Sequence, residues 1–293
     1  MLALFLCACG PNGSGQPASS VQTSSSATQA KEGANIAEAS VAQIPDQPYT
    51  NKAIEPKVEV RLNNKELRQG TDYELEYENN TDVGKATVTV RGIGDYSGTK
   101  TATFRIAFSD VAPTHWAYDV VHRANDLKLV DGNGYKGDAG KFGPEDKITR
   151  GQAVTILWHM AGDPEPGTDA KQFSDVMVRM PYTDAIGWAA KAGVASGYAD
   201  GNFGPEDPAT REQLATMIAN YARNVAGKEV AGSADDYKAV KDANKVSKEA
   251  ETSVGWCFKN NILPGTEDGL IEPQGNATRA EAVKMFVSLH DMA

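Results

Sequence analysis

Basic residues are in deficit: 29 Lys and Arg stand against 39 Asp and Glu, giving a net charge of −10 and a pI near 5.0. Binding to phosphate needs a basic face, so this balance excludes a general nucleic-acid or acidic-membrane binder. Cysteine is nearly absent. Cys7 and Cys9 lie at the extreme N-terminus and leave Cys257 without a partner, so no disulfide framework supports the fold. The four histidines, His115, His122, His159 and His290, have no metal-ligand spacing among themselves or with cysteine. Asp131-Gly-Asn133-Gly and Asp200-Gly-Asn202 resemble calcium loops only superficially. They lack the alternating oxygen ligands and closing Glu of such loops and are read as turns. No cofactor site is expected. Nor is an enzyme, because no nucleophile, base and metal converge on a recognisable pattern. No apolar run approaches the roughly 18–20 residues that span a bilayer.

The first residues, Met1-Leu-Ala-Leu-Phe-Leu-Cys7-Ala-Cys9-Gly10, form a short apolar run ending in small residues, which is the pattern of an export signal. The run also resembles a bacterial lipobox, with Leu6 three places before Cys9 and Ala8 just before it. Residues 1–9 are therefore an export signal with Cys9 as the candidate lipidation site and lipid anchor, although no basic residue precedes the run. Residues 10–43 are rich in Ser, Gly, Ala, Gln and Thr and are expected to be a disordered linker.

Between residues 44 and 107 the hydrophobic period is two. Val58, Val60 and Leu62 alternate with polar positions, as do Tyr73, Leu75 and Tyr77, then Ala86, Val88 and Val90, then Ala102, Phe104 and Ile106. Turn residues at Asn63-Asn64, Asn79-Asn80 and Gly92-Ile-Gly94-Asp95 separate the runs, which predicts a small antiparallel β-sandwich. Pro48-Tyr49, Gly70-Thr-Asp72-Tyr73, Gly92-Ile-Gly94-Asp95-Tyr96-Ser-Gly98 and Thr103-Phe104-Arg105-Ile106 resemble an immunoglobulin-like module of Gram-positive surface proteins. In that family the module is a spacer or an adhesive stalk, whose partner here is unknown.

From residue 108 the chain repeats about every 60 residues, the signature of a modular array. Three segments align on Thr149-Arg150, Thr210-Arg211 and Thr278-Arg279. Six residues before each Arg stands Pro144, Pro205 or Pro273, eight before it Phe142, Phe203 or Ile271, and ten before it Gly140, Gly201 or Gly269. Apolar residues three, four, six and seven positions after each Arg make one helical face. Thr149…Gln152, Thr210…Gln213 and Thr278…Glu281 have the spacing of a capping box. An earlier helix is expected in each copy, around residues 116–129, 182–194 and 246–262, so that the units are helix–loop–helix. An Arg at the first position of a helix faces the positive end of the dipole, where a cation is disfavoured. Its presence in all three copies suggests an anion site made of the guanidinium and free helix-start N–H groups. The competing reading is an ion pair with an Asp of a neighbouring copy.

Phe108-Ser-Asp110-Val, Phe173-Ser-Asp175-Val, Gly197-Tyr198-x-Asp200-Gly201-x-Phe203-x-Pro205 and the Thr-Arg pairs resemble S-layer homology domains. The copies are placed at residues 108–164, 172–228 and 235–293. The resemblance implies a multidomain fold: the small all-β immunoglobulin-like sandwich followed by a mainly α-helical, pseudo-threefold unit. It also implies a non-enzymatic, extracellular role at the cell surface, with grooves between lobes binding secondary cell-wall polysaccharide, which often bears a pyruvate ketal. The expected glycan-binding residues are Arg211 first, then Arg150, with Arg279 weakest. Asp175 and Asp110 are expected to orient an Arg or accept sugar hydroxyls, and Trp116 and Tyr182 to offer flat faces to a pyranose. Tyr198, Asp200 and Gly201 are expected to shape the groove of the second copy. The third copy departs most, with Val240-Lys-Asp242-Ala in place of the Phe-x-Asp-Val pattern, so at most two good ligand grooves are expected, with the third copy mainly closing the fold. The rival reading is a surface adhesin whose β module binds a host or neighbouring-cell partner.

Overall fold

The structure is a computed structural model and describes residues 33–132, 137–167, 169–266 and 268–292. Cys9 and most of the expected linker lie outside the described residues, as do residues 133–136 of the first Gly-rich turn.

Among the described residues, the N-terminal unit carries nine strands. They are β1 (Ala34–Asn35), β2 (Ser40–Val41), β3 (Gln47–Pro48), β4 (Val60–Leu62), β5 (Lys65–Glu66), β6 (Tyr73–Glu78), β7 (Gly84–Gly92), β8 (Tyr96–Ser97) and β9 (Thr99–Ala107). They form a four-stranded sheet in the order β3-β9-β7-β6, a three-stranded sheet β2-β4-β5 and a β1-β8 pair. The alternating runs lie in β4, β6, β7 and β9, with Ala86, Val88, Val90, Phe104 and Ile106 buried between the sheets. Tyr73 and Tyr77 turn their hydroxyls inward, where they donate to the Val58 and Pro56 carbonyls at 2.8 and 2.6 Å. The folded part begins before residue 44. Ile36 and Ala39, inside the expected linker, are fully buried, and β1 and β2 pair with β8 and β4. A single Ile among small polar residues is too weak a compositional signal to reveal this.

Among the described residues, the C-terminal unit has six α-helices. They are α1 (Tyr118–Asp126), α2 (Arg150–Met160), α3 (Thr183–Lys191), α4 (Arg211–Asn224), α5 (Glu251–Lys259) and α6 (Arg279–His290). The helices α2, α4 and α6 all begin with a complete capping box at Thr149, Thr210 and Thr278. Just before them, extended backbone from the three copies closes into a ring. The N–H of Ile148 donates to the Ala277 carbonyl at 3.1 Å, that of Ala277 to Ala209 at 3.1 Å, and that of Ala209 to Ile148 at 2.9 Å. Bridges Lys147↔Thr278, Thr149↔Pro208 and Thr210↔Asn276 make the three sides of this small β-prism.

These observations correct the expected fold class. The structure is of mixed α/β content, 31% helix and 18% strand, with curled sheets and a β-prism, in place of an all-β immunoglobulin-like sandwich followed by a mainly helical unit. Two strand pairs of the N-terminal unit, β1-β8 and β3-β9, are parallel. Helical periodicity in the repeats is conspicuous in sequence, whereas backbone pairing between copies leaves no side-chain signature and was invisible there.

The Gly-rich loops are held alike in each copy. Both oxygens of Asp110 accept backbone N–H groups, from Phe142 and Gly143 at 2.9 and 2.8 Å. Asp175 does the same for Phe203 and Gly204, both at 2.7 Å. Asp242 does so for Ile271 and Glu272, both at 2.8 Å. Gly140, Gly201 and Gly269 all take φ between 72° and 86°, the left-handed conformation that favours glycine.

Gly151, the one glycine at the second position of these helices, has a different cause. A Cβ there would lie 2.5 Å from the Tyr182 ring and 2.8 Å from the Pro205 carbonyl oxygen. Gly151→Ala, which stabilises a solvent-exposed helix by about 1 kcal/mol, is therefore expected to destabilise this one. A thermal melt of the variant checks the sign.

Candidate functional site

The start of each repeat helix is bound to the next copy in the same sense around the ring. The Arg150 N–H donates to Asp207 O at 2.9 Å and that of Gly151 to Pro205 O at 2.9 Å. Arg211 and Glu212 donate to Gly275 and Pro273, and Arg279 and Ala280 to Asp146 and Pro144, at 2.8–3.1 Å. The third N–H in each case goes to the capping Thr. The helix-start donors that the sequence offered to an anion are thus already satisfied within the protein.

The three guanidinium groups follow the same rule. Nε donates to a carbonyl of the next copy: Arg150 to Phe203 at 2.9 Å, Arg211 to Ile271 at 2.7 Å and Arg279 to Phe142 at 2.7 Å. Arg150 also donates to Ser196 O at 2.7 Å and lies between the Tyr198 and Phe203 rings, 4.7 and 4.8 Å from their centres. Burial pushes its pKa down, opposed by the negative field of Tyr198, Asp207 and Asp175. Arg211 donates to Pro264 O at 3.2 Å and pairs with Glu281 at 3.1 Å. Arg279 donates to Gln152 Oε1 at 3.0 Å and lies 4.8 Å from the centre of the Phe142 ring. Arg150 and Arg211 are buried. The cation is tolerated at the positive end of the helix dipole because its head reaches across the copy boundary onto carbonyl oxygens. The expected partner Asp residues are occupied elsewhere: Asp110 and Asp175 hold loop N–H groups and do not bond an Arg.

Each Arg nevertheless lines one of three related grooves, and each groove takes residues from all three copies. The first, of about 320 Å³, holds Arg211, Glu281, Lys284, Trp116 and the Leu263–Gly265 loop. Trp116 is 57% exposed, with the Lys284 ammonium 5.7 Å from its ring centre and His115 stacked against it. The second, of about 430 Å³, holds Arg150, Tyr198, Gln213, Thr216 and Ser196, with Glu212 and Glu249. The third, of about 550 Å³, holds Arg279, Tyr182, Gln152, Thr155, His159 and Lys128, with Asp131 and Asp163. Burial raises the Tyr182 hydroxyl pKa, with Glu206 adding to it.

The structure therefore brings Arg211 together with Trp116, Arg150 with Tyr198, and Arg279 with Tyr182. It leaves Asp110, Asp175, Asp200 and Gly201 out of the groove walls. Asp200 instead closes its own turn, accepting from the Asn202 N–H and side-chain amide at 3.0 Å each. Sequence reasoning missed Lys284, Glu281 and the Gln pair Gln152 and Gln213. The available signal was position: Thr155, Thr216 and Lys284 each stand five residues after the Arg, on the polar edge of the apolar helix face. The grooves differ in charge. Two cations and one carboxylate line the first, one cation and two carboxylates the second, and Arg279 and Lys128 offset Asp131 and Asp163 in the third. Among the described residues, no group of three or more His, Cys, Asp or Glu side chains is placed to hold a metal ion. No helix among them is long and apolar enough to cross a membrane.

The family model of the S-layer homology domain matches residues 107–154, 172–215 and 241–283. An endoglucanase of Bacillus sp. (strain KSM-635) is 26% identical over 192 residues, covering 62% of this chain and 18% of that protein. The S-layer protein sap of Bacillus anthracis is 28% identical, over 61% of this chain and 20% of that protein. A cellulosome-anchoring protein of Acetivibrio thermocellus is 29% identical, over 52% of this chain and 34% of that protein. The chain thus spans about a third or less of the length of these relatives. Three segments of the chain match the S-layer homology domain, and this match places the protein at the cell surface in association with the wall. The immunoglobulin-like assignment of the N-terminal unit has no support from these matches.

Proposed function

We propose that the repeat unit attaches the protein to the cell wall, without catalysis, by binding secondary cell-wall polysaccharide in the grooves between copies. The observation that carries this reading is the recurrence of one groove plan three times, each with an Arg and walls from all three copies. A fold maintained only for packing has no need of such open, polar clefts at equivalent positions. Among the three, the first groove suits an acidic sugar best. It has a surplus cation and an exposed indole face that can take a pyranose ring. A carboxylate on the glycan, such as a pyruvate ketal, matches Lys284 beside Arg211.

Lys284 and Trp116 are exposed and Arg211 is buried, so the first two are the variants that separate binding from stability. Lys284→Ala is expected to lower wall affinity about tenfold to hundredfold, the loss of one charge-assisted contact worth about 1.5–3 kcal/mol. Trp116→Ala is expected to act in the same direction, with little change in melting temperature for either. Sedimentation with purified walls is the measurement. Unchanged retention of both variants would remove the first groove from the account.

A further inference from the structure

We propose that the N-terminal β unit and the repeat unit form one rigid body at neutral pH, locked by unprotonated His122, and that protonation of His122 releases the joint. This is a property of the seam between the units and does not depend on what the grooves bind.

The seam has no linker. β9 ends at Ala107, and the next residue, Phe108, is buried in the core of the repeat unit. Tyr118 Oη donates to Asp46 Oδ2 at 2.6 Å, and Arg105 pairs with Asp126 at 3.0 Å. Tyr49 and Val83 pack so closely on Gly140 and Gly132 that a Cβ at either glycine would overlap them, at 1.9 and 2.6 Å. The equivalent Gly201 and Gly269 are open or nearly so, so this clasp is particular to the first copy.

His122 lies on the repeat-unit side of the seam, against the residue that directly follows β9, and is 1% exposed, with its ring 5.5 Å from that of Phe108 and 4.3 Å from that of Tyr118. Its Nε2 accepts the Phe108 N–H at 3.2 Å, while Nδ1 lies 2.8 Å from the Tyr118 carbonyl oxygen. One nitrogen must accept and the other donate, which only the neutral ring does. Protonation would set an Nε2–H against the Phe108 N–H and leave both donors unmet. The charged groups facing the ring are Arg105 from β9, Asp46 from the segment before β3 and Asp126 on α1, with the Tyr118 hydroxyl beside it. Burial holds the imidazole below the ordinary histidine value and Arg105 adds to this, against the Tyr118 carbonyl and the two carboxylates. Because the folded value is lowered, the joint is fully stable above the unfolded value of about 6.5 and loses stability as pH falls below it.

The test is ¹⁵N relaxation of the full chain, reading the tumbling time of each unit separately, at about pH 7.5 and about pH 5. The expected result is one shared tumbling time at the higher pH and two at the lower. His122→Gln keeps a neutral acceptor and donor and should share one time at both. Separate tumbling at neutral pH, shared tumbling at both pH values in the wild type, or an equal acid response in His122→Gln would overturn the proposal. The last outcome would assign the response to the carboxylates. If His122→Gln does not fold, the imidazole ¹⁵N shifts of wild-type His122 decide: its titration midpoint must coincide with the separation, and a mismatch rejects the lock.

Discussion

Ending the chain at residue 240, so that the third copy is lost, is expected to abolish cooperative folding of the first two copies. The ring of backbone bonds is then open: Ile148 loses the Ala277 carbonyl, and Arg211 and Glu212 lose Gly275 and Pro273. The Arg211 guanidinium loses Ile271, Pro264 and Glu281 at once. The shared core loses Val254, Ile262, Ile271, Val283 and Phe286, all at most 1% exposed. Each of those apolar residues stabilises by about 1.5–3 kcal/mol when buried, so their joint removal is comparable to the whole stability of a domain, about 5–15 kcal/mol. Amide exchange in α2 and α4 is the readout. Protection there close to that of the full chain would show that the copies stand alone. The expectation from sequence that the third copy mainly closes the fold thus understates it: its Asp242, Ile271 and Arg279 occupy the same positions in the ring as their counterparts.

Arg211→Ala is expected to lower stability by about 3 kcal/mol, equivalent to a melting shift of about 6–12 °C for a unit of this size. The residue is 6% exposed, and its side chain bonds two backbone carbonyls and a carboxylate of the third copy. Removing it strands buried acceptors, and an unmet buried polar group costs about 1–3 kcal/mol. The sequence shows the capping pair Thr210 and Gln213 but gives no sight of the carbonyls of Ile271 and Pro264. Calorimetry beside the wild type reads the effect. A melting temperature within error of wild type would return Arg211 to a purely ligand-directed role. A loss of wall binding in this variant has to be compared with Lys284→Ala, where the fold is spared.

What sequence makes legible here is local. Thr-x-x-Gln and Thr-x-x-Glu announce the capping boxes, glycine ten residues before each Arg announces a left-handed turn, and the two periods announce strands and helices. What it conceals is the pairing of one copy with another through main chain. The Phe203, Ile271 and Phe142 carbonyls that receive the Arg side chains have no residue-type signature. The same holds for the roles of Asp110, Asp175 and Asp242: a carboxylate before a loop reads equally well as a sugar acceptor or as a clasp for two N–H groups. Trp116, Tyr198 and Tyr182 line the grooves and were legible as candidates, because a flat aromatic face suits a sugar ring. Lys284 was not, since a lone lysine on a helix is ordinary solvated surface.

The central claim, attachment to wall polysaccharide through the repeats, is tested most directly by sedimentation of the purified protein with cell walls before and after acid extraction of the non-peptidoglycan polymer. The account predicts retention on intact walls, loss of retention after extraction, and competition by the extracted polymer. Equal retention on extracted walls would place the binding on peptidoglycan itself and contradict it.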